Sequence, residues 1–340
     1  RSFGSRAVWI QASLISKPSC AIVLMDRASL ASSAVDKEAE PVDNTAGDPQ
    51  HSQLQARLLR VSVGAVVTCV VPLLGLLAAR GPVDGAKDRT SGFWGAKTAT
   101  VNWCEADYDV TPYVAEFGNA LSSVSVIISG LYGICMHRRF VELRYILAFT
   151  AFVVVGAGSF AFHATLWRSM QLLDELPMVW ANSVFIFIVV AMEDTRERHP
   201  RRVEAFAITV VTLLVSVAVV IFDKEDQNIF LLGYGGGVVF LFIRSGALNF
   251  KHNSRGKVLL LETAMFFYGG GFLLWLVDRM FCPTVRSLYL HAFWHLTAGI
   301  GTFTIVLFWI WIRQEVLGTR PQLRGSSPAT RWVDVGEKHV

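Results

Sequence analysis

The chain has 340 residues, of which 53% are apolar and only 17% are charged, whereas ordinary globular proteins contain about 25% charged residues. With 23 Phe and 10 Trp, a soluble protein of this size would expose too much apolar surface to remain in solution. The composition therefore excludes a disordered chain, a disulfide-rich miniprotein and an ordinary cytosolic enzyme. A net charge of +4, with the basic residues in short clusters between apolar runs, does not indicate a nucleic-acid partner.

The N-terminal part of the chain differs in character from the rest. Residues 1–57 are rich in Ser, Ala, Asp and Pro and show no sustained periodicity, which predicts a poorly ordered extension. Either Met25 is the true start or residues 1–24 belong to a processed leader, and the sequence leaves both open. Residues 58–80 contain the apolar run Val61–Ala79, which predicts an additional membrane-spanning helix.

Seven further apolar runs follow, most of them close to the roughly 20 residues that a membrane-spanning helix requires. They are Glu116–Met136, Tyr145–Leu166, Leu176–Met192, Val203–Phe222, Ile229–Ile243, Val258–Val277 and His291–Ile312. The fifth is the weakest helix prediction, because it contains several glycines. The sequence thus predicts an all-α integral-membrane protein, with a seven-helix domain over residues 81–312 and a cytosolic tail over residues 313–340.

The distribution of Lys and Arg predicts the orientation of these helices. The connections after the first, third and fifth runs, together with the C-terminal tail, carry about twice as many Lys and Arg as the alternate side. Since cytosolic connections carry the excess of basic residues, the C-terminus is predicted to be cytosolic. The segment before Glu116 is then lumenal or extracellular, and Val61–Ala79 would place the N-terminal region in the cytosol.

Three histidines lie within the apolar runs, where ionisable residues are costly and indicate function. His163 is near the end of the second run, and His291 and His295 open the seventh, so that all three are predicted near the lumenal face. His291 and His295 are four residues apart and share one helix face. Three histidine ligands and one open position form the arrangement of a catalytic zinc. The shared depth favours a metal site over hydrogen-bonded packing histidines.

Further polar residues accompany the histidines. Ser159 lies one turn before His163, where its hydroxyl is suited either to stabilise an oxyanion or to bond back to its own helix. Asp174, just before the third run, is suited to deprotonate a metal-bound water or to orient a ligand histidine. Glu175 beside it is the alternative candidate for this role, or else it only provides a negative charge near the N-terminus of the helix. The spacing alone does not choose between the two carboxylates.

An acidic segment precedes the first of the seven runs. Within fifteen residues it carries five side chains with oxygen donors: Asn102, Glu105, Asp107, Asp109 and Glu116. Such a density of hard oxygen ligands is typical of Ca²⁺ sites, although the spacing is not that of an EF-hand. The alternative is a solvated acidic loop before a helix capped by Thr111 and Pro112. Cys104 and Cys282 both fall on the predicted lumenal side, where a disulfide between them is permitted.

Three blocks of this sequence, in order, resemble the signature blocks of the alkaline ceramidases. The blocks are FWGAKTATVNWCEADYDVTPYVAEFGN, GAGSFAFHATLWRSMQLLDELPMVWAN and LHAFWHLTAGIGT, and the resemblance runs from about Gly92 to about Ile312. The family consists of seven-helix intramembrane hydrolases that cleave the amide of ceramides to a sphingoid base and a fatty acid. The resemblance therefore implies a zinc-dependent hydrolase of sphingolipid metabolism.

The resemblance also implies individual roles. It implies zinc ligands at His163, His291 and His295, an oxyanion-stabilising hydroxyl at Ser159, and an aspartate that works with the zinc-bound water at Asp174. It implies a disulfide between Cys104 and Cys282.

A calcium site is implied at Asn102, Trp103, Glu105, Asp107 and Glu116, with Trp103 contributing its backbone carbonyl. Two of these positions depart from the family's usual pattern, because Asn102 stands where the family usually has Asp, and Asp107 where it usually has Asn. One carboxylate is lost and one gained, so that the formal charge of the site is unchanged.

The sequence thus predicts a multi-pass membrane enzyme of the endoplasmic reticulum or Golgi, with an active site near the lumenal face. Ceramide and membrane lipids are the expected partners, and no obligate protein partner is evident. The alternative is a non-enzymatic seven-helix lipid receptor or channel on the same scaffold, since fold alone does not determine function.

Overall fold

The computed structural model describes residues 91–194, 201–252 and 255–335. Within these ranges it contains seven long helices: α1 (Phe117–His137), α2 (Leu143–Thr165), α3 (Arg168–Val190), α4 (Arg202–Phe222), α5 (Asn228–Lys251), α6 (Arg255–Met280) and α7 (Leu290–Val316). Two short antiparallel hairpins join β1 (Ser91–Gly92) to β2 (Gly95–Ala96) and β3 (Pro321–Arg324) to β4 (Trp332–Val335). The predicted extension over residues 1–57 and the predicted helix Val61–Ala79 lie outside the described residues.

All seven helices are long and apolar enough to cross a membrane, which confirms the predicted all-α membrane bundle. The largest differences from the predicted runs are at the start of α3, which is Arg168 rather than Leu176, and at the end of α5, which is Lys251 rather than Ile243. The first two turns of α3 carry several polar side chains but are still helical, and Gln171 and Glu175 are buried there and bond to each other at 2.7 Å. The glycine-rich fifth run is nevertheless a complete helix, and it extends to Lys251.

The helix α7 lies at the centre of the bundle, where it packs most extensively against α6 and α1. Its second half is buried on all faces around Phe303, Phe308 and Trp309. Close packing elsewhere relies on glycine: a Cβ atom added at Gly133 of α1 would lie 2.2 Å from the Phe149 ring of α2. The outer helix α4 instead exposes most of its apolar side chains, as expected for a helix that faces lipid.

The C-terminal segment is partly folded, whereas the sequence predicts a simple tail from residue 313. Helix α7 continues to Val316, and the β3–β4 hairpin packs against the bundle through the buried side chain of Val333. The Val333 amide donates to His137 Nε2 at 3.2 Å, and the Tyr132 hydroxyl donates to the Thr330 carbonyl at 2.7 Å. These bonds fix the hairpin to the end of α1.

The segment before α1 is held against the end of α2 by backbone hydrogen bonds. The amides of Thr98 and Ala99 both donate to the Leu166 carbonyl, at 3.0 and 2.9 Å. Farther along, the Glu116 amide donates to the His163 carbonyl at 2.9 Å. The acidic segment, which we define as residues 102–116, therefore lies at the end of the bundle where α2 finishes and α7 begins.

A disulfide joins the acidic segment to the turn before α7. Cys104 and Cys282 are bonded with their Cα atoms 5.2 Å apart, and Arg286 Nε donates to the Cys104 carbonyl at 3.0 Å. The two cysteines are 178 residues apart in sequence, and His163 lies between them.

Replacing Cys282 by Ser should lower the free energy of unfolding by about 2–4 kcal/mol, since the unfolded chain would regain the freedom that this cross-link removes. Thermal denaturation of the purified variant in detergent measures the effect. Mass spectrometry that finds both thiols free in the parent protein would contradict this prediction.

Candidate metal centre and active site

Three buried histidines converge at the end of the bundle that carries the acidic segment. His163 occupies the last turn of α2, while His291 and His295 lie in the first two turns of α7. One ring nitrogen of each lies within 4.8 Å of the others. Among the described residues, this is the one group of three His, Cys, Asp or Glu side chains that converges so closely. We call it the histidine triad.

Hydrogen bonds to the outer nitrogens orient two of the rings. His163 Nδ1 lies 2.5 Å from Glu116 Oε2, and His295 Nδ1 lies 3.1 Å from the Asn119 carbonyl oxygen. Such contacts to the second nitrogen are what fixes the tautomer of a metal-binding histidine. His163 Nε2 and His291 Nδ1 are buried and have no hydrogen-bond partner among the described residues.

Unpartnered buried polar atoms are rare in folded proteins and require an explanation. A cation among the three rings supplies one, because neutral imidazole nitrogens are preferred ligands of Zn²⁺. The histidine triad therefore fits a metal.

Ser159 and Asp174 lie beside the triad on neighbouring helices. The Ser159 side chain is hydrogen-bonded to the Asp174 carboxylate, and its Oγ also lies 3.0 Å from Ser123 Oγ. Both residues line a cavity of about 600 Å³ together with His291 and His295. A hydroxyl, a carboxylate and two imidazoles thus face the same space.

Glu175 also lines the cavity but belongs to a different network. Its Oε1 accepts hydrogen bonds from Gln171 and Gln227, at 2.7 and 2.6 Å, and Arg168 lies 3.8 Å from its Oε2. These contacts tie α3 to the start of α5. The geometry therefore distinguishes the two neighbouring carboxylates: Asp174 contacts Ser159, whereas Glu175 connects helices.

The rest of the cavity is largely apolar and extends away from the triad between the helices. Its walls include Phe152, Phe185 and Phe242. The hydroxyl groups of Tyr234 and Tyr268 also lie in this region, 2.8 Å apart. The cavity thus combines one polar end with a long hydrocarbon-compatible interior.

The acidic segment brings three buried carboxylates near the triad. Glu105 accepts hydrogen bonds from the Gly118 and Asn119 amides, at 2.6 and 2.9 Å, and so caps α1. Glu116 Oε1 accepts a bond from the Trp103 amide at 2.7 Å. Asp107 Oδ2 pairs with Lys97 and also lies 3.2 Å from Asn102 Nδ2.

Burial dominates the electrostatics of the acidic segment. It raises the pKa of both Glu105 and Glu116 to about 8, and repulsion from neighbouring carboxylates adds to this rise. A divalent cation near these groups would favour their ionised form and lower both pKa values. Asn102 and Asp109 are exposed, and Asp109 has no contact that links it to the cluster among the described hydrogen bonds and ion pairs.

A family model for ceramidases matches residues 95–331, which include the histidine triad, the acidic segment and all seven helices. The chain belongs to the ceramidase family. It is 34% identical over 252 residues to alkaline ceramidase 3 of Mus musculus, which covers 70% of this chain and 92% of the mouse protein.

Relatives from other kingdoms show a similar extent of match. An alkaline ceramidase of Saccharomyces cerevisiae is 28% identical over 243 residues, covering 64% of this chain and 77% of the yeast protein. One from Arabidopsis thaliana is 27% identical over 263 residues, covering 70% and 92%. The chain is therefore a member of an enzyme family that extends to fungi and plants.

Several residues that contact the site in this ceramidase-family protein have no signal in the motif spacing. The Trp103 ring stacks on His291 with centroids 3.8 Å apart, and Ser122 Oγ lies 2.8 Å from His295 Nδ1. Asp278 of α6 accepts hydrogen bonds from the backbone of Cys104 and His291. These contacts join residues that are far apart in sequence, so that only the tertiary structure identifies them.

Proposed function

We propose that this protein hydrolyses the amide bond of ceramide within the membrane, with a zinc ion held by His163, His291 and His295. The observation that carries the proposal is the histidine triad at the polar end of the cavity, next to the hydrogen-bonded pair Ser159 and Asp174. Membership of the ceramidase family supports the choice of substrate.

The chemistry divides between the metal and two side chains. When bound, zinc would lower the pKa of a water molecule toward neutrality and polarise the amide carbonyl. The Ser159 hydroxyl would donate a hydrogen bond to the oxyanion that develops on that carbonyl. The Asp174 carboxylate would take a proton from the attacking water and return it to the departing amine.

The cavity is suited to a substrate with two hydrocarbon chains. Its apolar walls would replace the lipid environment of the chains, so that ceramide need not leave the bilayer to reach the site. A receptor or channel on the same scaffold would need the cavity but not the contact between Ser159 and Asp174. That contact favours the enzyme.

Calcium is our proposal for the acidic segment. The ligands would be the side chains of Asn102, Glu105, Asp107 and Glu116, with the backbone carbonyl of Trp103. Oxygen ligands and flexible geometry suit Ca²⁺, and the buried, unpartnered Oδ1 of Asp107 supports a cation here. Calcium would act by ordering the segment against the triad rather than by taking part in hydrolysis.

We also propose that the triad end of the bundle faces the lumen of the endoplasmic reticulum or Golgi, with the C-terminus in the cytosol. The excess of Lys and Arg on the opposite connections supports this orientation.

The proposed activity is tested by release of sphingosine from ceramide by the purified protein in detergent. Removal of metal with a chelator should abolish release, and Zn²⁺ should restore it. Ceramide left intact by the zinc-loaded protein would overturn the proposal in favour of a receptor or channel.

Two substitutions test the roles of the side chains beside the triad. Ser159→Ala should lower kcat by about 10²–10³-fold, the usual effect of removing one oxyanion donor. Asp174→Asn should lower it by about 10²–10⁴-fold, because an amide cannot transfer the proton. Zinc content should stay unchanged in both.

Ser183→Ala is the matched control, since Ser183 bonds to Val179 and Thr212 and does not line the cavity. Its turnover should equal that of the parent. Near-parental kcat in either Ser159→Ala or Asp174→Asn would contradict the assigned role.

A further inference from the structure

Lys97 supplies a positive charge to the acidic segment. Its ammonium group pairs with Asp107 Oδ2, which also accepts a hydrogen bond from Asn102 Nδ2 at 3.2 Å. The Asp107 side chain is fully buried, whereas that of Lys97 is about one-third exposed. The carboxylate at this position is therefore already neutralised by a residue of the chain itself.

The backbone beside Lys97 holds the ammonium group in place. The next two amides, of Thr98 and Ala99, donate to the Leu166 carbonyl at the end of α2, and the Thr100 amide donates to Gln171 of α3 at 2.8 Å. Lys97 thus projects from an irregular stretch of backbone, just after β2, that is fixed to the bundle. Its pairing with Asp107 fastens the acidic segment to that stretch.

Lys97 and Asn102 together provide partners for one oxygen of Asp107, Oδ2, without a divalent ion. The Asn102 amide group faces Asp107 with its donating nitrogen, whereas a calcium ligand at this position would present an oxygen. The buried Oδ1 of Asp107 still has no partner among the described residues. Asp107 is thus paired with Lys97 through Oδ2 and retains its other oxygen, Oδ1, for a cation.

We propose that the Lys97 ammonium is a built-in counter-cation of the acidic segment, which orders the segment without calcium and competes with Ca²⁺ for Asp107. This inference rests on the proposed calcium site. Binding of Ca²⁺ must displace the ammonium group from Asp107 or tolerate a positive charge beside it. Calcium affinity is consequently low in this protein, and the triad retains its support when calcium is scarce.

The test is calcium binding by the full-length protein in detergent, freed of divalent ions and titrated with CaCl₂ in a calorimeter. Lys97→Met removes the charge, and its dissociation constant for Ca²⁺ should fall at least about tenfold, since ligand charge tunes such sites. The metal-free variant should also melt at a lower temperature than the parent, and saturating Ca²⁺ should remove this difference.

Two further variants separate charge from folding. Lys97→Gln keeps a hydrogen-bond donor for Asp107 but removes the positive charge, so that it isolates the electrostatic effect if Lys97→Met is unstable. This variant should also bind Ca²⁺ more tightly than the parent protein does. Lys224→Met removes an exposed lysine elsewhere in the chain and should bind Ca²⁺ like the parent.

The outcomes distinguish the inference from the proposal beneath it. Equal calcium affinity in the parent and both Lys97 variants would overturn the role of Lys97 and leave the calcium site standing. Absence of binding in all of them at millimolar Ca²⁺ would overturn the calcium site and the inference with it.

Discussion

Replacement of His163, His291 or His295 by Ala is expected to abolish amide hydrolysis and to remove zinc from the purified protein. Each substitution takes away one of three converging ring nitrogens, and two remaining imidazoles would hold the ion too weakly for a catalytic site. A metal at this site would contribute several kcal/mol of transition-state stabilisation, so turnover should fall by at least about 10³-fold. Elemental analysis and sphingosine release measure the two effects.

The matched control is His252→Ala. His252 lies just beyond α5, where it pairs with Glu193 at 3.1 Å, and it belongs to no part of the triad. This variant should retain zinc and turnover. A parent protein that holds no zinc after purification without chelators, or near-native activity in any one triad variant, would overturn the mechanism.

The fold was largely predictable because membrane-spanning helices are long and apolar. The apolar runs identify all seven helices, but they do not give the start of α3 or the end of α5. Helix α3 shows why the count of apolar residues fails there. Its first turns carry Arg168, Gln171 and Glu175, which interrupt the apolar run but contact one another and Gln227, the residue just before α5. Hydrophobicity marks the part of a helix that faces lipid or core, and not a polar turn that is paired inside the bundle.

The candidate site was predictable in its residue types and less so in its connections. The four-residue spacing of His291 and His295 predicts a shared helix face, and the ends of the apolar runs predict His163 at the same depth. In the structure one ring nitrogen of each lies within 4.8 Å of the others. The roles proposed for these histidines remain predictions. Lys97 lies in the first motif block, yet its sequence position gives no sign of the contact with Asp107, since both lie in irregular backbone whose path no periodicity describes.

Glu116 shows most clearly what the sequence could not provide. Its position beside other acidic residues assigns it to calcium alone, which would predict that its loss leaves zinc binding intact. In the structure one carboxylate oxygen accepts a bond from the Trp103 amide, and the other lies 2.5 Å from His163 Nδ1. The same side chain therefore contacts both the acidic segment and the histidine triad.

Glu116→Gln is consequently expected to weaken the binding of zinc to the histidine triad as well as the binding of calcium to the acidic segment. The Glu116 carboxylate accepts a hydrogen bond from His163 Nδ1–H, which keeps the hydrogen on Nδ1 and leaves the lone pair of Nε2 directed to the triad. A glutamine that accepts the Trp103 bond through its oxygen presents its NH₂ group to Nδ1, which favours the tautomer with hydrogen on Nε2. Loss of such an orienting contact typically costs 10–100-fold in metal affinity.

Glu105→Gln is the control for this effect, because Glu105 is equally acidic and buried but bonds to the Gly118 and Asn119 amides instead of a histidine. It should reduce calcium binding and leave the zinc dissociation constant unchanged. Competition with a chromophoric chelator measures zinc affinity in both variants. If the two variants hold zinc equally well, then the contact between Glu116 and His163 does not orient the ligand. Glu116 would then act through the acidic segment alone.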